Sequence, residues 1–192
     1  MKFIATTAAL FGLLAAGTAF AADSYEIDPT HAWVSFKTNH AGWANAHGVF
    51  RTVSGEISFD KDDVTKSSIE LKIDAASIDT NHEQRDTHLK SPDFLNVEEF
   101  PEVTFKSTAI EKTGDKTAKV TGDLSIAGTT KPVTLDVIWN SESPLPWDAK
   151  TIKTGFSATG AITGADFGIT KLADFGLGPD LLLDVDLEAI KK

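Results

Sequence analysis

Cysteine is absent from the 192-residue chain, which excludes disulfide staples, thiol nucleophiles and cysteine-ligated metal sites. Positive charge is scarce. Lysine and arginine number 18 against 28 acidic residues, a formal net charge of −10, and arginine occurs only at positions 51 and 85. With no basic cluster along the chain, nucleic acid and anionic membrane surfaces are poor partners. The acidic side chains are scattered, with no run longer than the pairs Asp62-Asp63 and Glu98-Glu99, as on an ordinary solvated surface. No glycine-rich phosphate loop precedes a helix pattern, and no serine sits in a G-x-S-x-G turn.

What stands at the start is Met1-Lys2-Phe3-Ile4, an apolar stretch through Leu10-Phe11-Gly12-Leu13-Leu14, and Ala19-Phe20-Ala21. One basic residue, a short apolar run and an A-x-A site describe a secretory signal peptide. The run is shorter than the roughly 20 residues of a membrane span, and Asp23 and Glu26 follow at once. Cleavage is expected after Ala21, leaving one domain over residues 22–192 with no integral membrane segment, delivered to the periplasm. Lacking a cysteine near that point, the chain is not processed as a lipoprotein.

Apolar and polar residues alternate through most of the remaining sequence, the period-2 mark of strands with one buried face. Val34 and Phe36 alternate with Ser35 and Lys37. Val53, Gly55, Ile57 and Phe59 continue the pattern, as do Ile69, Leu71 and Ile73, then Val103 and Phe105. Val120, Gly122, Leu124 and Ile126 follow. Val133, Leu135, Val137 and Trp139 come next, then Ile152, Phe156, Ala158 and Ile162, and finally Leu181, Leu183, Val185 and Leu187. About eight amphipathic strands joined by short polar turns predict an all-β antiparallel meander that either closes into a barrel, which removes its edges, or pairs with a second sheet.

One segment breaks the alternation. Thr80 with Glu83 fits a capping box, and Lys90 suits a last helical turn, so one helical excursion over about residues 82–97 is expected to cross the barrel as a lid. Eight strands enclose either a packed core or one small ligand. Gly55, Gly122, Ala158 and Gly160 on the inward rows leave room for a ligand, or mark bulges and bends. Trp43, Phe50, Phe94, Leu95 and Phe100, outside the main strand runs, would line a mouth or lid.

The helical segment also carries the strongest enzyme-like cluster, His82, Arg85, Asp86 and His88. Its geometry argues against a metal pair, since residues six apart are rotated by about 240° around a helix axis. Asp86 beside Arg85 reads as an ion pair pinning the helix. Arg85 is also the favoured polar contact at a tunnel mouth, to a diphosphate or a quinone carbonyl.

The run Ser77-Ile78-Asp79-Thr80-Asn81-His82-Glu83-Gln84-Arg85-Asp86-Thr87-His88-Leu89-Lys90-Ser91-Pro92-Asp93-Phe94-Leu95 resembles the signature of the YceI-like family. So do Tyr25-Glu26-Ile27-Asp28-Pro29-Thr30-His31, Phe100-Pro101-Glu102-Val103-Thr104-Phe105 and Val120-Thr121-Gly122-Asp123-Leu124. The resemblance covers about residues 24–188. It departs from the family's pattern at Ala127-Gly128-Thr129-Thr130 and Gly164-Ala165-Asp166-Phe167-Gly168, the latter lacking an arginine that many members carry. It implies a lipocalin-like, extended eight-stranded antiparallel β-barrel, a periplasmic location, and a polyisoprenoid such as a quinone tail or prenyl diphosphate in an internal tunnel, with neither catalysis, cofactor nor metal.

The residues expected to line that tunnel are Val34, Phe36, Trp43, Phe50, Ile57, Phe59, Ile69, Leu71, Ile73, Phe94, Phe105, Leu124, Leu135, Val137, Phe156, Ala158, Leu183 and Val185. The head-group candidates at its mouth are His40, Arg85, Asp86 and His88. An apolar lipid is the expected partner, and a homodimer is compatible with the sequence. Two alternatives stay open: a lipid-modifying enzyme using the His82–His88 helix, and a ligand-free envelope interaction or stress protein.

Overall fold

The structure is a computed structural model that describes residues 22–192; the expected signal peptide lies outside the described residues. The described residues form ten strands: β1 (Asp23–His40), β2 (Ala44–Phe50), β3 (Val53–Phe59), β4 (Ser68–Asp74), β5 (Ile78–Asp79), β6 (Glu102–Lys112), β7 (Thr117–Ile126), β8 (Thr129–Leu145), β9 (Asp148–Thr163) and β10 (Asp180–Lys191), with one α-helix, α1 (Glu83–Lys90). Every strand pair is antiparallel, and β10 pairs with β1 to close the sheet.

The ten strands make an eight-stranded barrel because two wall positions are split. β2 and β3 both lie along β1, through Val34↔Phe50 and Asp23↔Phe59, with a break at Arg51 and Thr52. β5 likewise continues the line of β4 after a 3-10 turn at Ala75–Ser77. β1 spans both partners because its ladder to β10 is interrupted between Ile27 and Ala32, which bends it. The alternation read from the sequence is the burial pattern observed: in β7, Val120, Gly122, Leu124 and Ile126 are buried and their neighbours are not.

Turn chemistry sets the hairpins. Ala127 (φ 47°) and Gly128 (φ 75°) are both left-handed between the paired residues Ile126 and Thr129, the two-residue loop whose twist suits antiparallel strands. The β7–β8 turn is therefore only two residues long, and Thr129 already belongs to the ladder. Pro132 falls inside β8, opposite Asp123 and before β8 gains its second partner at Asp136, where a residue without an N–H is tolerated.

α1 is shorter than expected and differently capped. Its N-cap is His82, whose Nδ1 accepts the Arg85 N–H at 3.2 Å, so the Thr80–Glu83 capping box does not form. Thr80 instead donates its backbone N–H to Asp86 at 2.9 Å and its hydroxyl to the same carboxylate oxygen. The helix stops at Lys90 because Pro92 disfavours helical geometry at Ser91, which is extended (ψ 169°). None of its residues is buried. What closes this end of the barrel is the chain after it, through Phe94 and Leu95, together with Phe167, Ile169 and Leu172 from the segment between β9 and β10, all buried.

The opposite end carries the β6–β7 turn, the β8–β9 hairpin and a 3-10 turn at Val64–Lys66. β6 connects the two ends: it starts after the helical segment and its eleven residues lead into the β6–β7 turn, roughly 35 Å of strand away.

Candidate ligand-binding site

Inside the barrel lies a cavity of about 150 Å³. Val34, Ile57, Phe59, Ile69, Leu71 and Ile73 supply one part of its wall, and Phe105, Leu124, Leu135 and Val137 another. Phe156, Ala158, Leu183 and Val185 complete the set of expected residues that face it. Leu135, Val137, Trp139, Phe156, Ala158 and Leu183 point inward yet are only half-buried, because open space rather than another side chain lies before them. Val64, Ile110, Val120, Val133, Trp139 and Leu187 also line the cavity and were not among the residues expected to line it. Four of these stand on the same alternating rows as the residues that were; the rim residues Ser67, Ser68 and Gly114–Ala118 lie where alternation gives no signal.

Four expected lining residues are elsewhere. Trp43 is 80% exposed in the β1–β2 turn. Phe36 and Phe50 pack on each other with ring centroids 6.0 Å apart, and Phe94 packs edge-on against His88 at 5.0 Å; none of the three lines the cavity. The small residues also behave differently from the expectation that they leave room. A Cβ at Gly122 would stand 2.4 Å from the Phe105 ring, and one at Gly160 2.5 Å from Leu135, so neighbouring side chains already fill those spaces. Gly55 (φ 151°) admits the Glu70 carbonyl, 2.1 Å from where its Cβ would be. Of the four, Ala158 alone lines the cavity.

The head-group candidates lie at the helix end, away from the cavity's opening. His40 packs against Trp43 at 5.4 Å. Arg85 donates from Nε to the Thr80 hydroxyl at 2.8 Å and from Nη2 to the Thr80 carbonyl at 2.7 Å. It makes no ion pair with Asp86 among the described residues; both side chains bond the Thr80 hydroxyl, Arg85 as donor and Asp86 as acceptor. His88 sits between Phe94 and Phe175 and approaches Asp93 at 3.3 Å. His82, as N-cap, shares no site with it.

The cavity opens between the Val64–Ser68 segment and the β6–β7 turn, and among the described residues its polar wall residues are all there: Ser67, Ser68, Asp115, Lys116 and Thr117. Trp139 stands at this rim, with Phe59 at 5.3 Å and Lys116 Nζ at 5.4 Å from its ring. Phe156 meets Phe59 edge-on at 5.2 Å. Thr154, buried beside them, accepts the Trp139 indole N–H at 3.1 Å and donates to the Ser141 carbonyl.

Two polar networks brace the same half of the barrel. The fully buried Tyr25 donates its hydroxyl to Glu142, which is also paired with Lys61 at 2.6 Å. Burial, then the Glu142 carboxylate, pushes the Tyr25 hydroxyl well above the ordinary phenol range. Burial also pushes the Glu142 carboxyl up, but Lys61 and Tyr25 outweigh it and hold it below the usual range. In the second network Asp28 accepts from the Thr30 N–H at 3.0 Å, a turn closed by its own side chain. Asp28, His31 and Glu188 place ligand atoms within 4.8 Å of one another, yet Lys153 Nζ lies 2.6 Å from both Asp28 and Glu188. The ammonium holds the place a cation would take. Against the upward push of burial, Lys153, Thr30 and His31 keep the Asp28 carboxyl far below its usual range.

Comparison with known proteins agrees with this architecture. Relatives include UPF0312 proteins of Pseudomonas savastanoi pv. phaseolicola, 43% identical over 198 residues (all of this chain and 98% of that protein), and of Pseudomonas fluorescens, 40% identical over 196 residues with the same coverage. The Campylobacter jejuni YCEI protein crystal structure is 31% identical, with TM-score 0.71, over 78% of this chain and 86% of that one. A polyisoprenoid binding domain from Saccharophagus degradans, described as implicated in plant cell wall breakdown, shares the fold: TM-score 0.65 at 17% identity, covering 88% of this chain and 98% of that one. The YceI-like domain matches residues 25–189, nearly the whole of the described structure, and the chain belongs to the YceI-like family.

Proposed function

We propose that this protein is a non-enzymatic periplasmic carrier that holds a polyisoprenoid lipid inside its barrel. The observation that carries the proposal is the cavity: apolar along its wall, enclosed by a closed sheet, and polar only at one open rim. A chain of branched, apolar units with one polar end has that same distribution of polarity. The fold shared with a domain described as polyisoprenoid-binding supports the choice of lipid. Against the enzyme alternative, His82 caps a helix and His88 packs between aromatic rings at the end away from the opening.

Size limits the unliganded state. A dry cavity near 150 Å³ accommodates an occupant about as large as benzene, so a long isoprenoid has to displace side chains, and the Phe59–Trp139–Phe156 cluster at the opening is the group in its way. Burying several hundred Å² of ligand yields on the order of 10 kcal/mol, against an association cost of roughly 4–15 kcal/mol. Binding therefore depends on the rest of the wall being preformed.

The test is native mass spectrometry of the protein purified without detergent, with its lipid extract analysed in parallel. An isoprenoid adduct is expected. A protein that carries nothing, and gains no thermal stability from added quinones or prenyl phosphates, would overturn the proposal. The export part of the reading is checked by N-terminal sequencing from a periplasmic fraction, which should begin at Ala22.

A further inference from the structure

We infer that the open rim is a head-group site in which the Lys116 ammonium donates a hydrogen bond to an uncharged, oxygen-bearing head, the isoprenoid tail running inward. The inference rests on the carrier reading above. Its basis is the one-sided polarity of the cavity: Ser67, Ser68, Asp115, Lys116 and Thr117 cluster at the rim, and the wall beyond them is apolar. An amphipathic ligand is thereby oriented, because reversing it would bury its polar end without a partner.

Lys116 is the cation on that rim. Its Nζ is held over the Trp139 ring and donates once, to the Asn140 carbonyl at 3.0 Å. It has no carboxylate partner among the described residues, and an ammonium offers three donors. Nearby cations are engaged, Lys61 by Glu142 and Lys66 by Asp63. Arg85, the other donor considered, has its guanidinium bound to Thr80 at the far end.

The charge count selects the class of head. Asp115 stands next to Lys116 on the same rim, so the pair is close to neutral and a diphosphate would meet one cation and one carboxylate. A quinone-type carbonyl needs one donor and carries no charge.

Binding of three probes by native mass spectrometry tests this: a short-chain prenylated quinone, geranylgeranyl diphosphate, and a head-free branched hydrocarbon of similar length. Wild type should bind the quinone more tightly than the diphosphate. Lys116→Met should weaken the quinone about tenfold, equivalent to about 1.4 kcal/mol, and leave the hydrocarbon unchanged; Arg85→Met should change neither. The inference fails, with the carrier reading intact, if Lys116→Met leaves quinone binding unchanged or weakens the hydrocarbon equally. It fails likewise if the diphosphate is the tighter ligand or if Arg85→Met produces the selective loss. Wild-type protein that binds none of the three overturns the carrier reading itself, and the head-group site with it.

Discussion

Tyr25 is the chain's single tyrosine, and burial beside the Glu142 carboxylate raises its ionisation. A folded-state value above the unfolded one means that the group stabilises the fold below the unfolded value of about 10 and that this contribution is lost as pH rises further. Folded protein should therefore show no tyrosinate absorbance at about pH 10, where a free phenol is half ionised; a normal titration there would refute the assigned environment. The Asp28–Lys153–Glu188 network runs the other way. Asp28 is depressed, so its contribution is present above about pH 4 and is lost as pH falls toward the lower folded value. Asp28 and Lys153 have side chains only 11% and 18% exposed. Lys153→Met leaves a carboxylate unpaired in that setting and should cost roughly 3 kcal/mol in urea unfolding; a loss below about 0.5 kcal/mol would class the pair with ordinary surface ion pairs.

Among the elements, β3 and β4 are joined where Gly55 faces Leu71 in the ladder. The Glu70 carbonyl occupies the space a side chain would need, and the positive φ disfavours any other residue. Gly55→Ala should destabilise by about 3 kcal/mol, with hydrogen exchange fastest across β3 and β4. A neutral effect would show that the ladder can shift there without loss. This glycine was legible in the sequence as a small residue on an inward alternating row, but whether it made space or admitted a backbone was not. The answer depends on a carbonyl from the next strand. Helix α1 teaches the same point. Its place was readable from the loss of alternation, whereas its cap and the Thr80 clamp depend on which polar atoms the folded turn brings within reach.

For the whole molecule, the cavity links stability to ligand. A bound lipid at a hundred times its Kd adds about 2.7 kcal/mol, which for a domain of this size raises Tm by about 5–10 °C. Ala158 faces the cavity between Val137 and Val185, so Ala158→Phe fills the space from a position that leaves the ladders intact. That variant should fold and lose the ligand-induced rise in Tm. Retention of the rise in calorimetry would place the ligand elsewhere.

The amino-acid sequence by itself determined the antiparallel all-β fold and most of its inward face, because a side-chain period of two is a local property and a strand cannot bury one face without a partner; closure came from the pairing of β10 with β1. Fourteen of the residues expected on the inward rows face the cavity for the same reason. The tertiary structure decided which end is open, that Gly122 and Gly160 serve Phe105 and Leu135, and that the polar rim belongs to Lys116 and not Arg85. Those outcomes depend on register and on contacts between distant residues, such as Tyr25 with Glu142 and Asp28 with Lys153, 117 and 125 positions apart. No local pattern encodes such pairs, since only closure of the sheet brings their atoms together.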